Sequence, residues 1–255
     1  MSSELDFRLD GFEPADADSE YAEKQFWAGD LTVLAEHHAP RNGSHSFVDA
    51  HDASVTWGVP GEPQICAIKV ARDLDQNTFT FESTYHSTVS LAQNWLIERG
   101  CPPDRISQVS DDFMQPADDL TARVEQKLRT SGDRYGVLDS YTSDYDPCGT
   151  WTLTRDSLAA QAPIRVFLEE GDYDARTYTM REGAFPDEEA ARHWLDDRST
   201  ALPQPPEHRG DAAALRTRAA LTRSTGASAI PNAGPDAHST PSAGTAQHPS
   251  PGRSM

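Results

Sequence analysis

ICAIKVARDLDQNTFTFESTYHSTVSLAQNWLIER, residues 65–99, and IRVFLEEGDYDARTYTMREGAFPDEEAARHWLDDR, residues 164–198, align without a gap at a spacing of 99 positions. Nine of these 35 positions are identical, where average composition would give roughly two. Ile65 meets Ile164, Asp73 meets Asp172, and Asp75 meets Asp174. Thr78 and Thr80 meet Thr177 and Thr179, and Ala92, Trp95, Leu96 and Arg99 meet Ala191, Trp194, Leu195 and Arg198. A Trp match is the rarest kind. The chain is therefore expected to carry one folding unit twice.

The likeness extends outward with small gaps. Thr56-Trp57 aligns with Thr150-Trp151, and the opening Phe12-Glu13-Pro14-Ala15-Asp16 resembles Phe113-Met114-Gln115-Pro116-Ala117-Asp118. Repeat unit 1 is placed at 10–103 and repeat unit 2 at 111–203. The period far exceeds that of solenoid repeats, so each copy is a whole α+β unit.

Each copy is expected to open with a helix, at about 18–37 with a break at Gly29-Asp30 and at about 117–130. Leu120, Val124 and Leu128 give the second helix one apolar stripe, and Gly132 suits a left-handed cap. Strands follow at 46–49, 54–59, 64–71 and 77–82 in the first copy, and at 135–141, 150–154, 163–169 and 176–181 in the second. Ile164, Val166 and Leu168 alternate with Arg165, Phe167 and Glu169, the period of a strand. The Asp73–Asn77 and Gly171–Ala175 segments read as hairpin loops whose aspartates stabilise the turn. A closing helix buries Trp95 or Trp194 against the sheet. The fold class is α+β, an α-β-β-β-β-α unit in tandem, with an antiparallel sheet and helices on one face.

Residues 204–255 are rich in Ala, Ser, Thr, Gly and Pro with few large apolar side chains, and the last before the terminal Met255 is Ile230. Such a stretch cannot offset its ordering entropy, so a disordered tail is expected. The chain carries a net charge of −19; the tail's five arginines against three acids make it +2, which leaves −21 on residues 1–203. That field disfavours nucleic-acid backbones and anionic membranes and favours a cationic partner. No basic leader or membrane-length apolar run occurs, which points to the cytoplasm. The α-βββ-α order also occurs in double-stranded-RNA-binding domains, but those need a basic face.

The densest chemistry is Glu36, His37, His38, His45, Asp49, His51 and Asp52. Its spacing fits no metal motif, and the second copy reads Gly132-Asp133-Arg134-Tyr135-Gly136 at the matching stretch, so a polar segment is the expectation. Asp139, Asp144 and Asp146 lack the glycine and terminal glutamate of a calcium loop. Cys66, Cys101 and Cys148 are too few and too widely spaced for a disulfide framework. Cys66 alternates with strand residues and reads as packed. His86 and His193 read as lone, satisfied groups. No nucleophile elbow, Walker loop or dinucleotide fingerprint is present. No catalytic, cofactor-binding or metal residue is assigned. The leading expectation is a non-catalytic acidic protein that binds another macromolecule, a protein foremost and one version a charge mimic of DNA. The alternative is a small hydrolase or lyase with its site at the junction of the two units.

Overall fold

In the computed structural model, residues 5–206 are described apart from 29, 40–42, 56–58, 60 and 144–148. The expected tail lies outside the described residues from 207 onward, as do Thr56-Trp57, Asp144, Asp146 and Cys148. The first copy holds β1 (Glu13–Pro14), α1 (Ala17–Ala28), β2 (Leu31–His38), β3 (His45–Asp52), β4 (Ile65–Asp73), β5 (Thr78–His86) and α2 (Val89–Glu98). A linker with the short α3 (Pro103–Ile106) follows. The second copy repeats the order in β6 (Gln115–Pro116), α4 (Asp119–Arg129), β7 (Tyr135–Ser143), β8 (Gly149–Asp156), β9 (Ile164–Asp172), β10 (Thr177–Phe185) and α5 (Glu188–Asp197). The sheets share one topology, β1-β5-β4-β3-β2 and β6-β10-β9-β8-β7, with the first pairing parallel and the rest antiparallel.

Local chemistry repeats with the topology. Asp16 and Asp118 cap the opening helices, accepting from the Ser19 and Thr121 amides at 2.7 and 2.8 Å. In the hairpins Asp73 accepts from the Asp75 and Gln76 amides and Asp172 from the Ala175 amide, as turn aspartates should. Asn77 and Arg176 hold the matching left-handed turn position at φ 55° and 54°. Trp95 lies 6.4 Å from the His86 ring and Trp194 lies 5.9 Å from the Phe185 ring, and 86 and 185 are matching positions.

Three expectations are corrected. Residues 31–38 continue as a strand, not as the second half of a helix, and 45–52 is a full strand. The strand expected at 54–59 does not form over its described residues, since Ala53–Val55 are turn. Sheet register consequently sets Ser46-Phe47, not Thr56-Trp57, opposite Thr150-Trp151. The β3–β4 loop is longer than the β8–β9 loop, and a chance Thr-Trp pair inside it misplaced the gap.

The helices also flank both faces of each sheet. Cys66, Ile68 and Val70 of β4 pack with Phe7, Phe26 and Phe79 on the α1 side, while Ile65 and Ala67 pack with Val89, Ala92 and Leu96 of α2. In the second sheet Phe167 faces Val124 and Leu128 of α4, while Ile164, Val166 and Leu168 face Ala191 and Trp194 of α5. Helix α2 then meets α4, with Leu91 inside the α4 cluster. Its sequence explains this: Leu91, Gln93 and Asn94 stand where α5 carries Ala190, Arg192 and His193, and a helix apolar or uncharged all round is buried.

Candidate functional site

Two places stand out: the seam between the copies, and the outer edge of each sheet. At the seam, the Asn94 amide brackets Gly132, donating to its carbonyl and accepting from its amide, both at 2.9 Å. Gly132 takes φ +57°, the conformation that glycine reaches without a Cβ penalty. Arg129 Nε donates to Gln93 Oε1 at 2.5 Å, and Ser87 and Thr152 share a hydroxyl bond at 2.6 Å. This polar layer also carries three acids. Asp49 is fully buried on the α2 side of β3, with neither oxygen in a well-formed hydrogen bond. Burial drives its carboxyl well above the usual range, against the pull of the Gln93 amide and the Arg129 guanidinium. Burial also raises Glu125 to about 7, opposed by Arg129, and the Tyr178 hydroxyl donates to it. Glu169, on the helix-facing side of β9, is raised to about 8 by burial and then by the charge of Glu125.

The seam is not packed shut. A cavity of about 450 Å³ lies between the copies, with His51, Ile65 and Val89 from the first, Phe113 from the linker, and Thr150 and Glu169 from the second. A neighbouring cavity of about 640 Å³ reaches Glu125, Arg129 and Tyr178, and the two share Val89, Phe113 and Met114. These volumes are typical of small-molecule sites.

A second buried polar set lies within the second copy. Arg134 forks onto Asp156 at 2.8 and 2.7 Å, Arg165 reaches Asp156 at 3.1 Å and Glu182 at 3.5 Å, and Lys127 clasps Glu182 at 2.7 Å. Charges alternate along this chain. Burial pushes the Asp156 carboxyl up, but the Arg134 fork and the Leu158 amide hold it below its ordinary value. Asp52 matches Asp156 by register, and both accept an amide two residues on, from Ser54 and Leu158. The first copy satisfies Asp52 with the Tyr85 hydroxyl at 2.8 Å and carries Cys66 where Arg165 stands.

The outer edges differ in a more telling way. Register pairs Leu31 with Asp52 and Tyr135 with Asp156, so Val33-Leu34 and Val137-Leu138 are matching dipeptides. Both strands bulge at this point, between Val33 and Ala35 and between Val137 and Asp139. In the first copy the linker covers the bulge. Ser110 donates its amide to the Leu34 carbonyl at 2.8 Å, and Ile106, Val109 and Phe113 pack into the Leu34 cluster. Leu34 is 2% exposed; Leu138 is 38% exposed and Val137 51%. No segment among the described residues shelters Leu138 as the linker shelters Leu34; the chain leaving α5 runs beside β10, where the Pro203 carbonyl accepts from the Ala184 amide.

The histidine-rich segment spreads over β2 and β3. His37 and His45 stack on Phe47 at 6.4 and 6.1 Å, His38 bonds Ser46 at 2.7 Å, and His51 Nε2 lies 3.4 Å from Gln64 Oε1. Among the described residues no three His, Cys, Asp or Glu side chains are grouped to hold a metal. Cys66 is buried and its thiol is pushed up to about 12 by that burial. Burial and Arg99 lower His86 to about 4. Among the described residues no helix is long and apolar enough to cross a membrane. Compared with protein families, curated proteins and solved structures, the chain shows no match.

Proposed function

We propose that the chain is a non-catalytic binding protein whose second copy takes an apolar, basic segment of a partner protein over the bulge at Val137-Leu138. The observation that supports this reading is the contrast between two matching Val-Leu bulges, one sheltered by the linker and one open. An exposed apolar position on a sheet edge is a liability unless something uses it. The first copy indicates what fits: a short segment with spaced apolar side chains, as at Ile106, Val109 and Phe113, and one amide for the bulge carbonyl. A second copy of this chain suits the place poorly, since two bodies of charge −19 repel, whereas a cationic segment is attracted.

The probe is a fluorescent peptide of residues 103–116, and a version with Asp111 and Asp112 replaced by lysine, titrated by anisotropy onto the full chain. Both are expected to bind, the lysine version more tightly and with stronger salt dependence. Leu138→Glu is expected to weaken each at least tenfold. No saturable binding, or binding indifferent to Leu138→Glu, sinks the proposal. So does a dimer in sedimentation that Leu138→Glu dissociates, because the edge is then filled by a second copy.

A second reading, a small hydrolase or lyase at the junction, draws support from Glu125 and Glu169 near the shared cavities. It lacks a nucleophile paired with a base in the described residues lining them.

A further inference from the structure

The 450 Å³ cavity stands apart from the open edge, and its chemistry is one-sided. Ile65, Val89, Phe113 and Met114 give it apolar walls, and Glu169 brings a carboxyl to them. That carboxyl sits between Phe167 and Gly171 on the strand face turned toward the helices. It has no hydrogen bond or ion pair among the described residues, and the charge acting on it is another carboxylate, Glu125. The nearby guanidinium groups are engaged elsewhere. Arg129 holds Gln93 and Gln126, and Arg176 donates to the Asp112 carbonyl at 2.5 Å. A carboxyl with apolar walls and no counter-ion lacks one thing, a cation small enough to enter. A bare metal ion would need further carboxylate, imidazole or thiolate ligands, and no such group forms among the described residues. An anion would meet Glu169 and Glu125 together. Phe113 and Tyr173 add aromatic rings to the lining, and ring faces attract an ammonium group.

We infer that the cavity between the two copies binds a small organic cation, an ammonium on an apolar body, with Glu169 as its counter-ion. The ammonium takes the place beside the carboxylate while the body lies against Val89 and Phe113. Because burial holds Glu169 protonated near neutrality, binding expels its proton. The other charged or titratable groups lining that cavity are His51 from β3, Asp112 from the linker, and Tyr173 and Arg176 from the β9–β10 loop; Glu36, Asp111, Glu125, Arg129 and Tyr178 line the neighbouring one.

The test uses the full chain and three probes of one shape: 2-phenylethylamine, 2-phenylethanol and 3-phenylpropanoate, titrated calorimetrically at about pH 8, where Glu169 is half ionised. The amine is expected to bind at least tenfold more tightly than the alcohol, and the carboxylate not measurably. Glu169→Gln is expected to remove the amine's advantage and leave the alcohol unchanged. In the unmodified chain, amine affinity should rise about tenfold between pH 6 and 7 and level off above about 8, with close to one proton released per amine at pH 6 to 7 and about half at pH 8 in paired buffers. That second readout decides the matter even if Glu169→Gln folds poorly. Amine and alcohol binding alike, neither binding at millimolar concentration, or uptake of no net proton change overturns the inference.

Discussion

Replacing Arg165 with alanine is expected to lower the thermal unfolding midpoint by on the order of 10 °C, from a loss of about 3–5 kcal/mol at about 2–4 °C per kcal/mol for a domain this size. Arg165 is 1% exposed and is the shared cation between Asp156 and Glu182. Without it two buried carboxylates lean on Arg134 and Lys127 alone, and a cavity opens beneath α4. Arg165→Lys should fall between, since an ammonium cannot span both acids as the planar fork does. Cys66→Ala, at the matching position of the first copy, removes little volume and no charge, so its cost should be near 1 kcal/mol. Chemical and thermal unfolding followed by circular dichroism measures all three. An Arg165→Ala loss under about 1 kcal/mol contradicts the network's structural role.

Stability is expected to fall as pH rises from about 6.5 to about 8.5, by on the order of 2 kcal/mol. The sign follows from the seam acids. Asp49, Glu125 and Glu169 all have folded values above their unfolded ones, at about 7 for Glu125 and about 8 for Glu169. Raised carboxyls cost nothing below the unfolded value, where both states are protonated. The penalty grows as pH climbs toward the folded value and is complete above it. His38, His45 and His86 act in the opposite sense, because burial lowers them and folding then loses stability as pH falls below about 6.5. Above that pH they are neutral in both states, so the window belongs to the acids. Glu169→Gln should remove its share of the slope, leaving that of Asp49 and Glu125, and be more stable than the unmodified chain at about pH 8.5. Denaturant midpoints across the window check this. A flat or rising profile in the unmodified chain contradicts the burial assigned to these acids.

The hairpins and closing helices were legible from residues 65–99 and 164–198, because the matching aspartates Asp73 and Asp172 there serve the same turn and the apolar stripe ending in Trp-Leu repeats. The second copy's strands were legible from alternation. The strand Leu31–His38 was not, since its bulge turns Val33 to one cluster and Leu34 and Ala35 to the other. That break in period two made Leu31, Val33 and Leu34 resemble a continuing helix. Helices on both faces were hidden for a related reason. Arg165 and Glu169 read as the outer side of β9, yet that side packs on α4, burying Arg165 within the second copy and bringing Glu169 to the seam cavity. One signal was available: α2 carries no charge before Glu98, unlike α5, and so announced a second buried face. The open edge could not be read at all. Val33-Leu34 and Val137-Leu138 are the same dipeptide, and tertiary neighbours, Leu5, Phe7 and Phe26 at Val33 and α2 with the linker at Leu34, make one buried and leave the other exposed.

Residue-level carbene footprinting of Leu34 and Leu138 in one sample, with and without the lysine-substituted 103–116 peptide, tests the proposed docking edge most directly. Heavy labelling of Leu138, little of Leu34, and loss of the Leu138 label when the peptide is added is the predicted pattern. A Leu138 shielded from the outset, or labelled equally while the peptide is bound, would contradict it.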